Sequence, residues 1–262
     1  MESNQYVVNH YSNYDEDNRL ASKRAVEFLT TMHYIEKYIK PDDRVLEIGA
    51  ATGRYSHALA RQGYTVDAIE LVEHNIEIFR KNTQEGENIS ITQGNAMDLS
   101  IFPDNQYDIT LLLGPMYHLY NKMDKQKAIR EAIRVTKHGG VIFVAYVISD
   151  GCLIHQGFKH RVFSIPDLIK KGMIDPVTFA TKSEPKDLFE LVRKEEVDEL
   201  MSTFSVKRLH YVASTGCTPF LQEEVEAMDD DAFELYMKYH FATCEREDLL
   251  GITSHSVDIF RK

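Results

Sequence analysis

Apolar residues recur along this chain with two periods, and the two periods alternate. Residues 44–48 (Arg-Val-Leu-Glu-Ile) are a short apolar run that breaks into Gly49-Ala50-Ala51-Thr52-Gly53. A helical spacing follows over 55–62 through Tyr55, Leu59 and Ala60, then a second apolar run over 65–69 that ends on Glu70. The alternation continues with a helix over 72–82 (Ile76 and Phe79 inward) and strands over 89–93 and 107–113. A helix over 125–135 places Ala128, Ile129, Ala132 and Ile133 on one face, and Lys137-His138-Gly139-Gly140 reads as its C-terminal stop. Residues 141–148 are almost continuously apolar, as a strand buried on both faces would be. Upstream, residues 20–39 carry a broken apolar face through Leu20, Val26, Leu29, Ile35 and Ile39 and read as one helix.

After residue 148 the pattern loosens. Residues 149–186 scatter Phe158, Phe163 and Phe179 among three prolines, which suggests short helices (165–171 is one) and loops that cap a crevice. Residues 187–204 read as a helix, or as a short strand and a helix, 206–213 as a strand and 254–261 as a terminal strand. The segment 214–250 is helical and acidic, with seven Asp or Glu from Glu223 to Glu234, a solvated face in its plainest reading. Phe233, Tyr236, Met237 and Phe241 give it an apolar stripe, suited to a second cap helix or to a homodimer face.

The chemistry concentrates in Glu47-x-Gly49-x-Ala51-x-Gly53 and Glu70. A glycine at a strand exit allows backbone angles that a Cβ forbids and lets a ligand touch the main chain. The next helix starts with unused N–H groups. A carboxylate at the end of the following strand can accept from both hydroxyls of a ribose. A dinucleotide loop would read G-x-G-x-x-G. Here an acid stands two residues before the first glycine, where it repels a pyrophosphate and suits a cationic ligand.

Strand, glycine turn, helix, strand and carboxylate in this order resemble the first motif of class I S-adenosylmethionine-dependent methyltransferases. Gly94-Asn95-Ala96 after the third strand and Gly139-Gly140 before the fifth fall where that family has similar segments. The resemblance is specific over residues 44–148 and architectural elsewhere. It implies an α/β, Rossmann-like, seven-stranded sheet in the order 3-2-1-4-5-7-6, its last strand antiparallel, flanked by helices in a single domain. It implies a helical lid over residues 1–40 and a cap over 149–186. It implies S-adenosylmethionine as cofactor, held by Glu47, Gly49, Ala51, Gly53, Glu70 and Leu71, with Asn95, Ala96 and Met97 around the adenine and Leu113 beside it. Tyr11, Tyr14 and Arg19 are the expected lid contacts. Ala51 stands where a glycine is commoner, and Asn95 where an aspartate is.

The fourth strand exits through Gly114-Pro115-Met116-Tyr117-His118. Members that methylate adenine bases or protein glutamine open this loop with Asn or Asp, so Gly114 argues against that chemistry. Tyr117 and His118 become the catalytic candidates, His118 as a general base because an unperturbed imidazole titrates near ~6.5. Methyl transfer also proceeds by alignment and desolvation alone. His155, Lys159, His160 and Arg161 favour an acidic or phenolic acceptor, and the two histidines lack a third ligand for a metal.

Thirty Lys and Arg against 41 Asp and Glu give a net charge of −11, which argues against a nucleic-acid partner. Three cysteines outside any C-x-x-C, and a polar start to the chain, point to a reducing cytoplasm. No apolar run is long enough for a membrane span, so no membrane partner is expected. The expected reaction is transfer of a methyl group to an O, N or S atom of a small molecule. A tRNA or protein methyltransferase, a nicotinamide-dependent oxidoreductase and a non-catalytic cofactor-binding module are the alternatives.

Overall fold

Alternate residues of each central strand are buried on opposite faces, and that is what makes this a three-layer α/β fold. In β1 (Arg44–Ile48), Leu46 and Ile48 join one core and Val45 the other. In β4 (Tyr107–Leu112), Ile109 and Leu111 face the second core while Leu112 faces the first. The computed structural model describes residues 2–12 and 25–262.

The elements in chain order are α1 (Glu2–Tyr11), α2 (Val26–Glu36), β1, α3 (Arg54–Arg61), β2 (Thr65–Glu70), α4 (Glu73–Asn82), β3 (Ile89–Gln93) and β4. A 3₁₀ turn, Pro115–His118, leads to α5 (Lys122–Val135) and β5 (Thr136–Ile148). Then come α6 (Ser149–Cys152), which runs into a π-helical turn (Leu153–Lys159), α7 (Ile165–Lys170), β6 (Leu191–Val192) and α8 (Lys194–Met201). β7 (Lys207–Ala213), α9 (Gln222–Ala227), α10 (Asp230–Thr243) and β8 (His255–Arg261) complete the chain. The sheet order is β3-β2-β1-β4-β5-β8-β7, with β8 antiparallel to both neighbours. β6 pairs with Val147 and Ile148 of β5, beyond the last residue of β4 in the sheet. The expected order therefore holds, with one two-residue strand added beside the end of β5. Among the described residues no helix is long and apolar enough to cross a membrane.

Three expectations change. The helix drawn over 20–39 is described only from Val26 to Glu36; Tyr38 N–H bonds Ile35 O, and a turn follows. Residues 137–140 are strand, not a helix stop. β5 starts at Thr136 and passes through an irregularity at Gly139 (φ +83), while the Lys137 ammonium bonds Asp108 at 2.7 Å. The stripe on α10 is not a docking face: Phe233, Tyr236, Met237 and Phe241 pack with Val26 and Leu29 of α2 and Val225 of α9. At the start of the chain, Glu2–Tyr11 form the helix α1.

Gly53 shows how tightly the first turn is set. It sits at φ +90, and a Cβ there would lie 2.4 Å from the ring of the buried Phe79. Gly53→Ala is expected to cost about 2–4 kcal/mol through backbone strain and overpacking. Urea unfolding measures it, and an unchanged midpoint would refute the close approach.

Candidate functional site

Where β1, β2, β3 and β4 end, their chains turn apart and leave a crevice. It encloses about 1020 Å³, counting its open mouth. Gly49 sits at its floor with φ +74, so close to the fourth-strand exit that a Cβ would lie 2.7 Å from the ring of Pro115. Ala51 takes φ +48, a conformation that usually costs a side chain energy, and its N–H is fixed by Glu70 Oε2 at 2.9 Å.

Two carboxylates are buried in the wall. Glu47, 3% exposed, accepts from the N–H of Ser56 at 2.9 Å and from its hydroxyl, both on Oε2. Glu70, 7% exposed, accepts from Ala51 N–H on one oxygen and from Val72 N–H and the Asn75 amide on the other. Loss of water pushes the Glu47 carboxyl up to about 8, against the pull of the Ser56 bonds and with Glu70 adding to the rise. Burial also raises Glu70, and the N–H groups of Val72 and Ala51 oppose it. A cation between the two acids would supply the charge that water no longer screens. The site thus fits a ligand with a sulfonium and an amino group, as S-adenosylmethionine has, and would repel a pyrophosphate.

The roof comes from elsewhere in the chain. Asn4, Val7 and Tyr11 of α1 line the crevice. The Tyr11 hydroxyl lies 3.4 Å from Nε2 of His118, and the two rings meet edge to face. His118 Nδ1 lies 2.8 Å from the carbonyl of Leu188. A carbonyl can only accept, so the proton is on Nδ1 and Nε2 accepts from Tyr11. Burial lowers His118 to about 4, with the Leu188 bond opposing and His10 assisting. This corrects the premise of an ordinary imidazole: His118 is neutral at physiological pH and a weak base. Phe189 packs 5.4 Å from His118 and 5.7 Å from Tyr117, which makes a ring cluster beside the crevice.

Of the residues singled out from sequence, Glu47, Gly49, Ala51, Glu70, Leu71, Asn95, Ala96, Leu113, Tyr11, Tyr117 and His118 line one crevice. Gly53 does not line it, because it is turned against Phe79 and His57 and positions α3 instead. Met97 packs against the core beneath the loop rather than lying along the cavity. Asn95 spends its amide oxygen on Met97 N–H at 2.9 Å, which closes the turn. Tyr14 and Arg19 lie outside the described residues. No described residue of the 149–186 segment lines the crevice. His155 and Lys159 pack instead on Phe220, and residues 188–190 cover the Tyr117–His118 turn. Val7, Asn4 and Arg54 were not foreseen. Arg54 follows Gly53 directly, and its place in the first helical turn was the available signal.

Residues 46–144 match a family model described as a methyltransferase domain. Over 131 residues the chain is 28% identical to the demethylmenaquinone methyltransferase of Clavibacter sepedonicus, covering 49% of this chain and about half (51%) of that relative's length. Over 217 residues it is 28% identical to the ubiquinone/menaquinone biosynthesis C-methyltransferase of Stenotrophomonas maltophilia, covering 78% of this chain and 81% of that one. Among solved structures, the CcbJ methyltransferase of Streptomyces caelestis superposes with a TM-score of 0.61 at 12% identity, over 99% of this chain and 97% of that one, a likeness of fold.

Glu47 makes stability depend on pH with a definite sign. Its carboxyl is raised from 4.5 to about 8, so between those values the folded chain keeps a proton that the unfolded chain has lost. Stability of the ligand-free protein should therefore fall as pH rises from about 5 to about 8, by a few kcal/mol on the scale of roughly 1.4 kcal/mol per pKa unit. Glu47→Gln should flatten that fall. Urea unfolding across the range tests it, and equal slopes in the two proteins would sink the assignment.

Proposed function

We propose that this chain, whose residues 46–144 match a methyltransferase-domain family model, is a class I S-adenosylmethionine-dependent methyltransferase and moves the cofactor's methyl group to a small, flat aromatic acceptor. The observation that carries methyl transfer is the pair of buried carboxylates, Glu47 and Glu70, in the wall of one crevice with the glycine turn between them. S-adenosylmethionine, when bound, supplies an electrophilic methyl on a sulfonium. The chain's own part is to bind, orient and exclude water.

Glu70 is the acceptor for a ribose hydroxyl, since Oε2 keeps a lone pair beyond the one that Ala51 uses, while Oε1 already accepts from both Val72 and Asn75. Glu47 balances positive charge. The Gly94-Asn95-Ala96 turn borders the space for the adenine. Helix α1 covers the crevice and keeps water out.

The acceptor reading rests on the rings. Tyr11, Tyr117, His118 and Phe189 stand with centroids 4.8–5.7 Å apart from neighbour to neighbour, and flat aromatic molecules stack on such surfaces. The menaquinone and ubiquinone in the relatives' names agree with it, and the C-methyltransferase among them adds carbon to O, N and S as the receiving atom. His118 Nε2 is the hydrogen-bond acceptor for a ring hydroxyl that takes the place of Tyr11. It is a polar anchor first and a proton acceptor only if the acceptor group is itself acidic.

Calorimetry with S-adenosylhomocysteine, and separately with NAD, tests the cofactor: heat is expected with the first only. Glu70→Ala should weaken S-adenosylhomocysteine binding at least tenfold, about 1.4 kcal/mol. An unchanged dissociation constant in a folded variant would refute the ribose role. With a quinol or phenol acceptor, kcat/KM should show no break near ~6.5, the pKa of an ordinary histidine, because His118 titrates at about 4. A break there that disappears in His118→Gln would overturn its assignment as a depressed, neutral imidazole.

A further inference from the structure

We propose that the face formed by the π-helical turn, α7 and the start of α9 is a twofold interface between two copies of this chain. The centre of the face is apolar and exposed: Ile154 (42%), Phe158 (60%), Val162 (71%) and Leu221 (38%). Ile154 and Phe158 are four residues apart on a π-helical turn, and so project from nearly the same side. Val162 is tied back to that turn by its N–H bond to Gln156 O at 2.8 Å. Leu221 is brought alongside by its neighbour Phe220, which carries the ring of His155 at 5.5 Å and accepts from Lys159 at 2.7 Å. Exposed apolar groups gathered in this way mark a contact surface rather than ordinary scatter.

The charges around the centre are segregated. The basic wing, residues 158–172, holds Lys159, Arg161, Lys170 and Lys171 against a single acid, Asp167, in a chain whose net charge is −11. The acidic wing, α9, presents Glu223, Glu224 and Glu226, all exposed, with no basic residue from 221 to 232. In the twofold pair the basic wing of one copy meets the acidic wing of the next, and the reverse contact forms at the same time. That is the self-complementarity an isologous dimer requires. An anionic membrane or a nucleic acid would be repelled by the acidic wing. The apolar stripe of α10 does not compete for the role, since it is packed on α2.

Sedimentation equilibrium of the full chain decides it. The expected species is a dimer of the 30.2 kDa chain that weakens as salt rises. Phe158→Asp, remote from the crevice, should weaken dimerisation at least about tenfold, and S-adenosylhomocysteine binding reports that the variant is folded. Arg161→Glu with Lys171→Glu should break the dimer. Adding Glu223→Lys and Glu224→Lys to that variant should restore it, because both wings are then reversed. A monomer at every concentration would overturn the proposal. So would a dimer indifferent to Phe158→Asp, or a failure of the double reversal to restore what the single one broke.

Discussion

Two carboxylates that have lost their water organise this protein. A buried carboxylate must be held by N–H groups or give up its charge. Glu47 takes its N–H and hydroxyl from Ser56 in the first turn of α3, and Glu70 takes N–H groups from Ala51 in the glycine turn and from Val72 at the head of α4. Helix amino ends favour negative charge, so the same contacts anchor both helices at the crevice. The strand ends, the turn and the two helices are thereby locked in register by the groups that would meet the ligand. The raised Glu47 carboxyl is the cost of that arrangement while no cation is present.

The roof is built on a different principle. Tyr11, His118 and Leu188 come from three distant parts of the chain and meet through one imidazole. Leu188 holds φ +68, in the left-handed region that a branched side chain seldom adopts. In that pose its carbonyl accepts a hydrogen bond from His118 Nδ1–H. Helix α1, the fourth-strand exit and the segment after 184 are thus coupled at the point where the acceptor would sit.

The core of the fold was legible because strand and helix periods are local. Val45, Leu46 and Ile48 announce a strand buried on both faces, and the acid–glycine spacing announces the turn. The reading failed where a residue's surroundings come from afar. Gly53 belongs to the expected motif yet faces Phe79, since α4 packs across the turn and occupies the space a ligand-facing role would need. The α10 stripe looked available for a partner because its neighbour, α2, lies some two hundred residues earlier in the chain.

What the sequence determined by itself is the alternation of elements and the pair of acids flanking a glycine turn, both consequences of short-range spacing and side-chain chemistry; the sheet order followed only from the resemblance that those residues carry. Tertiary structure alone decided that residues 188–190, not 149–186, cover the Tyr117–His118 turn. It also decided that His118 is neutral with its proton on Nδ1, and that the exposed apolar face lies on the π-helical turn. The physical reason is common to all three. Burial, protonation and exposure are set by which groups pack against a side chain, and in this fold those groups are brought together only when the sheet has closed.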